Sequence, residues 1–172
     1  MSLKKQTNLL KFKVKKGDYL SGERRRKLLG FYNFNFPLSN WSKKYLSDFF
    51  ENDRGRKIIF HFVENDKKEL VGLIVGRSKS LSPQILHLTI LLVKTNYRKH
   101  GYGRLLIESL FGSVVMDGSI KEIRLNFRKS KKLESFYNKF CFEKCPSAGK
   151  YMNGEEKCSM KIDINGVKKY LK

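Results

Sequence analysis

The chain's 172 residues fit one domain, and 40% apolar residues with 13 Phe and 8 Tyr are enough to bury a core, which excludes a chain disordered by composition. Its 37 Lys and Arg against 16 Asp and Glu give +21, a field that draws polyanions and disfavours a polycationic substrate unless carboxylates gather at the site. Cys141, Cys145 and Cys158 are too sparse for a disulfide framework, and all three His precede them with no second Cys pair, so neither a disulfide scaffold nor a zinc site is expected.

No basic stretch followed by an apolar one opens the chain, and no apolar run reaches membrane-spanning length, so a soluble, cytoplasmic protein is expected. Met1 to Gln6 is a lead-in. Leu10, Phe12 and Val14 then alternate with lysines, the period of a first strand with one buried face. Gly17 breaks it, and Asp18 is placed to cap a helix running to Leu29. Arg24, Arg25, Arg26 and Lys27 in that helix are either a nucleic-acid patch or a solvated face; without interleaved exposed aromatics the solvated face is favoured. Phe31, Tyr32, Phe34 and Phe36, ended by Pro37, either pack in the core or line a pocket. Ser39 or Asn40 starts a second helix with Trp41, Tyr45 and Phe49 on one stripe.

Ile58 to Val63 is the pattern of a strand, Glu64 to Lys68 a charged hairpin turn, and Leu70 to Val75 the returning strand. His61, flanked by apolar residues, fits a half-buried structural histidine. Ser78 to Pro83 is a second turn. The nearly unbroken apolar run from Ile85 to Val93 predicts a strand covered on both faces. Its period of two places His87, Thr89, Leu91 and Val93 on one face, with Leu86, Leu88, Ile90 and Leu92 on the other.

Beyond that strand, Arg98, Gly101 and Gly103 make an R-x-x-G-x-G spacing, after which Tyr102, Leu105, Leu106 and Leu110 recur at helical intervals. Glycine lets backbone N–H groups approach an anion, and the helix points its positive end at the same place. Arg98, Lys99, His100 and Arg104 add side-chain charge, which predicts a phosphate or pyrophosphate site. A glycine pair alone equally makes a plain turn, so the flanking strand and helix carry this reading. Asp117 to Ser119 is a break, and Ile123, Leu125 and Phe127 alternate with Arg124 and Asn126 as a strand. Ser130 is placed to N-cap a helix with Leu133, Phe136, Tyr137 and Phe140 on one face. Phe142 to Asp163 predicts two strands around a turn at Gly149 to Glu156, followed by a basic tail from Lys168 to Lys172.

The segment Val93 to Gly103 resembles the coenzyme loop of the GNAT superfamily of acyl-CoA-dependent N-acyltransferases. The run Ser135-Phe136-Tyr137-Asn138-Lys139-Phe140-Cys141-Phe142 resembles that family's second motif, F-Y-x-K-x-G-F. The chain departs at Thr95, where many members carry proline, at Lys99 and Cys141, where glycine is common, and at Ser130, where asparagine is frequent. The resemblance covers Leu9 to Ile164. It implies an α/β (α+β) GNAT-like single domain over residues 1–172, with a mixed, mostly antiparallel sheet of about seven strands and about four helices. The fourth and fifth strands would splay in a V to admit coenzyme A.

The same resemblance implies roles for individual residues. Leu91, Leu92 and Val93 would pair with the pantetheine arm and polarise the acetyl carbonyl. Arg98, Lys99, His100, Gly101, Tyr102, Gly103 and Arg104 would hold the pyrophosphate, with Ser130 near the coenzyme. Tyr137 aligns with a tyrosine that protonates the departing thiolate; the alternative is a core tyrosine. His87 stands four residues before Leu91, where several members place a general-base glutamate. It is either a base, with an ordinary pKa of about 6.5, or a histidine packed in the sheet. Glu64 and Glu69 are weaker candidates, because the hairpin turn is expected far from the splayed strands. The implied reaction is direct transfer of acetyl from acetyl-CoA to a primary amine, without a metal. The acceptor, a small molecule or a protein N-terminus or lysine, is not legible. The rival reading is a GNAT-like module holding RNA or a ribosome through its basic surface; the even spread of lysines favours a solvated surface instead.

Overall fold

The computed structural model describes residues 22–35, 57–65, 67, 69–146 and 149–172. The expected first strand at Leu10 to Val14, the Asp18 cap and the second helix with Trp41, Tyr45 and Phe49 lie outside them. Within them, helix α1 (Gly22–Asn35) precedes strands β1 (Ile58–Glu64), β2 (Leu70–Lys79) and β3 (Ser82–Val93). Helix α2 (Tyr102–Asp117), strand β4 (Glu122–Arg128) and the short helix α3 (Glu134–Asn138) follow. Strands β5 (Glu143–Lys144) and β6 (Lys157–Asp163) and helix α4 (Ile164–Tyr170) complete them. No helix among the described residues is long and apolar enough to cross a membrane.

The described strands form one sheet in the order β1-β2-β3-β4-β6-β5, antiparallel at every junction except β3 with β4. Its six strands correspond to the expected seven less the one outside the described residues, so the expected fourth and fifth strands are β3 and β4. Alternation along β1 divides the core into two layers. Ile59 and Val63 join a cluster with Leu106, Ile107, Leu110, Phe111 and Val114 of α2, while Phe60 and Phe62 join Leu28, Phe31 and Tyr32 of α1. Each large side chain fully buried this way contributes about 1.5–3 kcal/mol.

Helix α1 runs beyond the expected end at Leu29, because Leu28, Phe31 and Tyr32 repeat at helical spacing and their burial outweighs the poor helix propensity of aromatic residues. Phe31 and Tyr32 are therefore packed in the core, whereas Phe34 is exposed. The start of the basic tail, Lys168 to Tyr170, is also helical. Asp163 caps α4 by accepting from the Gly166 amide at 2.7 Å, and the Tyr170 ring meets Phe111 edge-on at 5.7 Å.

Gly76 of β2 packs closely against the core. A Cβ there would sit 2.6 Å from a terminal carbon of fully buried Leu86, whereas one on Gly112 in α2 would meet nothing within 4 Å. Gly76→Ala should therefore lower unfolding free energy by about 1–3 kcal/mol, while Gly112→Ala should raise it by about 0.5–1 kcal/mol. Urea denaturation of the two variants checks both signs.

Candidate active site

Strand β3 departs from simple alternation at one residue. Gly76 pairs with Leu88 and Val75 with Ile90, so Thr89 is an extra residue on β3, its hydroxyl donating to the Val75 carbonyl at 3.1 Å. A bulge of this kind shifts the alternation by one. Leu86 and Leu88 accordingly face α2, while Ile90 and Leu92 face α1, and Leu91 and Val93 pack with the α2 cluster. The expected common face of His87 with Leu91 and Val93 is thus corrected. His87 points to the α1 side, and the residues after the bulge are displaced by one face.

Just past this point the sheet opens. β3 pairs with β4 from Ile85↔Glu122 to Leu88↔Leu125 and no further, although β3 stays on β2 to Val93 and β4 stays on β6 to Arg128. The inner edges of Thr89 to Val93 and Asn126 to Arg128 therefore face each other unpaired. This is the expected V-shaped splay. On the α2 side the aromatic residues behind β4 form a packed wall: Tyr137 stacks on Phe127 at 5.5 Å and meets Phe142 edge-on at 5.8 Å. Burial pushes the Tyr137 phenol up to about 12.

The loop leaving β3 turns at once into α2. Its cap residue Gly101 has φ 86°, and no side chain caps the helix. Among the described residues, the N–H groups of Lys99 to Arg104 donate to no protein acceptor, and a Cβ on Gly101 would enter open space. A row of donors at the positive end of a 16-residue helix suits a phosphate group. Lys99, where many GNAT members carry glycine, has φ 63°, so the left-handed turn is kept with a side chain at a strain of about 1–2 kcal/mol. Gly103 lets the first turn approach α3, since a Cβ there would lie 3.4 Å from the Phe136 ring.

The charged side chains here do less than their number suggests. Arg98 Nε donates to the Val93 carbonyl at 3.1 Å, tying the loop to the strand end. His100 Nδ1 lies 2.7 Å from the Arg98 carbonyl, and Arg104 pairs with Glu108 at 2.8 Å. Among the described residues, the donors left without a protein acceptor here are therefore mainly backbone amides. Ser130 is not a helix cap: it lies in a 3₁₀ turn (Lys129–Lys131), α3 starts later behind Leu133, and its hydroxyl is directed at Glu155, 3.5 Å away. Cys141, like Lys99, holds the left-handed conformation of the usual glycine, with φ 61°.

His61 is fully buried between two serines of α2, Nε2 at 2.9 Å from Ser113 Oγ and Nδ1 at 3.0 Å from Ser109 Oγ. It is a structural histidine, as its apolar flanks imply. His87 is half-buried, and its pKa is lowered by burial, then by Lys79 and Arg124, with Glu122 opposing. The β1–β2 turn corrects another expectation: because β2 runs antiparallel to β3, the turn lies beside the coenzyme-type loop and not far from the splay. Asn65 Nδ2 donates to Tyr97 Oη at 3.0 Å, and Tyr97 meets Tyr102 edge-on at 6.0 Å. Sequence reasoning missed this brace. Its signal was Asn65 itself, whose Oδ1 accepts from the amides of Lys67 and Glu69 as an asparagine turn does.

A family model described as an acetyltransferase (GNAT) domain matches residues 33–164. The chain belongs to the GNAT acetyltransferases. A comparison with curated protein sequences finds no match. Among solved structures, spermidine N-acetyltransferase from Vibrio cholerae, in complex with CoA and spermine, is 16% identical with a TM-score of 0.68, covering 86% of this chain and 94% of that one. An aminoglycoside 6'-N-acetyltransferase complexed with coenzyme A is 17% identical with a TM-score of 0.67, covering 87% and 96%. A GNAT-family acetyltransferase from Streptococcus pneumoniae is 14% identical with a TM-score of 0.68, covering 91% and 99%. At such identities the likeness to these structures is one of fold.

In this GNAT protein the turn around Asn65 supports the loop from below. Asn65→Ala removes the one oxygen that accepts from two amides and the donor to Tyr97, and should lower stability by about 1–3 kcal/mol. An unchanged urea midpoint would show that the turn does not brace the loop.

Proposed function

We propose that the protein is an N-acetyltransferase that moves the acetyl group of acetyl-CoA to a primary amine by direct attack in a ternary complex. One arrangement carries the proposal: β3 and β4 separate beyond Leu88 and Leu125, and an uncapped helix start with free N–H donors stands at the mouth of the gap. The donor set fits a pyrophosphate, and the unpaired inner edge of Leu91, Leu92 and Val93 fits an extended amide-bearing arm laid against it as an added strand. CoA-bound neighbours of the same fold support acetyl-CoA as the co-substrate.

In this scheme the amine nitrogen attacks the thioester carbonyl, the C–N bond forms and the C–S bond breaks. N–H groups at the edge of β3 stabilise the oxyanion, and the sulfur leaves towards Tyr137. A phenol held at about 12 stays protonated at every working pH. It is a hydrogen-bond donor to the departing sulfur, and complete proton transfer is favourable only to a thiolate desolvated to a similar degree. His87 is the base that removes the proton lost by the ammonium, directly or through water. Its lowered pKa keeps the imidazole neutral, and so able to accept, throughout the neutral range.

Calorimetric titration with acetyl-CoA is the first test, and no binding at high micromolar concentration would overturn the assignment. Gly101→Ala places a Cβ where the anion approaches, at a positive φ that alanine resists, and should weaken acetyl-CoA binding about tenfold. Tyr137→Phe keeps the aromatic stack and should lower kcat by about 10²-fold with acetyl-CoA affinity nearly unchanged. The rate should fall as pH drops through the lowered pKa of His87, below about 6.5. His87→Gln should abolish that acidic limb, and its persistence would acquit the histidine.

A further inference from the structure

We propose that the acceptor is a primary amine bearing a carboxylate, drawn in by a row of cations that crosses the sheet just beneath the opening between β3 and β4. The inference rests on the acetyltransferase assignment above and narrows its substrate class.

The row follows from register. Arg77 pairs with His87, His87 with Arg124, and Arg124 with Lys161, so four basic residues on four adjacent strands lie side by side. They share the face opposite α2, because Leu86, Leu88, Ile123, Leu125, Met160 and Ile162 beside them all belong to the α2 cluster. Two residues further along β4, Asn126 is bonded to Ser159, and two beyond that Arg128 pairs with Lys157. Arg opposite Lys therefore occurs twice on the same two strands. Like charges in direct cross-strand pairs destabilise a sheet, so this pattern adds nothing to folding. It does create a place where an anion is held.

Among the described residues, carboxylates on this face are fewer than the cations. Glu122 is shared between Arg124 and Lys161, Glu143 pairs across from Lys161, and Glu155 lies 3.0 Å from Arg128. A net positive field at the opening is also felt by His87, which burial, Lys79 and Arg124 all push towards its neutral form. The packed rings of Phe127, Tyr137 and Phe142 line the α2 side of the opening, and the cation row lies on the opposite face of β4 and β6, where Arg124, Arg128 and Lys161 are exposed. An acceptor arriving there meets the field first. A carboxylate beside its amine is attracted, the field favours the free amine over the ammonium, and a polyamine is repelled.

The test uses the full chain with saturating acetyl-CoA and thiol release as readout, with three amines of similar size: glycyl-glutamate, glycyl-glutaminamide and spermidine. Glycyl-glutamate should exceed glycyl-glutaminamide in kcat/KM by about tenfold or more, with spermidine poorest. Arg124→Gln and Lys161→Gln, both at exposed positions, should each erode that ratio by raising the KM for glycyl-glutamate, Arg124→Lys should restore most of it, and calorimetric acetyl-CoA affinity should stay unchanged throughout. Equal or reversed preference, a ratio that survives the double variant, or acetyl-CoA binding with no turnover of any of the three overturns the inference. Failure to bind acetyl-CoA overturns the acetyltransferase assignment instead.

Discussion

The separation of two parallel strands after four paired residues is the constraint on which the rest of the molecule depends. A strand edge inside a sheet carries a row of N–H and C=O groups that need partners. β3 and β4 each keep one full partner, β2 and β6, so each gives up only one edge of its ladder. The parallel pair is also the weaker kind of ladder, which makes this junction the least costly place to open. The Thr89 bulge adds a residue and extra twist to β3 at the point of separation, and the rings of Phe127, Tyr137 and Phe142 fill the volume behind β4. The opening is thus held by packing on one side and by backbone geometry on the other.

Around that opening, the protein tolerates strain and like-charge contacts that a sheet built only for stability avoids. Lys99 and Cys141 occupy left-handed backbone that glycine adopts without cost. In both places the turn is preserved and the side chain accommodated, so the missing glycines change the energy of the turn more than its course. The cation row at His87 is a second case. Arg opposite Lys is paid for elsewhere in the core, where Phe111, Ile107 and Leu110 are completely buried.

The charge of +21 takes on meaning only when divided by location. At the coenzyme-type loop, Arg98 is drawn back onto a strand carbonyl and Arg104 onto Glu108, while the backbone amides of Lys99 to Arg104 have no protein acceptor among the described residues. On the exposed sheet face, by contrast, register aligns the basic side chains. The total predicted an attraction for polyanions; in the proposed scheme the amides serve a phosphate, and the guanidinium and ammonium groups serve the acceptor.

Much of this was legible from local pattern. The apolar run from Ile85 to Val93, the R-x-x-G-x-G spacing and the alternation of Ile123, Leu125 and Phe127 specify strand, loop, helix and strand in order, because each depends on a period of two or 3.6 residues or on the freedom of glycine. The helical extension through Phe31 and Tyr32 and the capped helix after Asp163 were also present as spacing, though masked by aromatic and lysine-rich composition. Three features were decided only by the folded chain. The Thr89 bulge depends on how β3 registers with Gly76, the Asn65 brace on the antiparallel return that brings a distant turn beside Tyr97, and the row of Arg77, His87, Arg124 and Lys161 on pairing between four strands far apart in sequence. Periodicity states which residues share a face of one element; only long-range pairing states which faces meet.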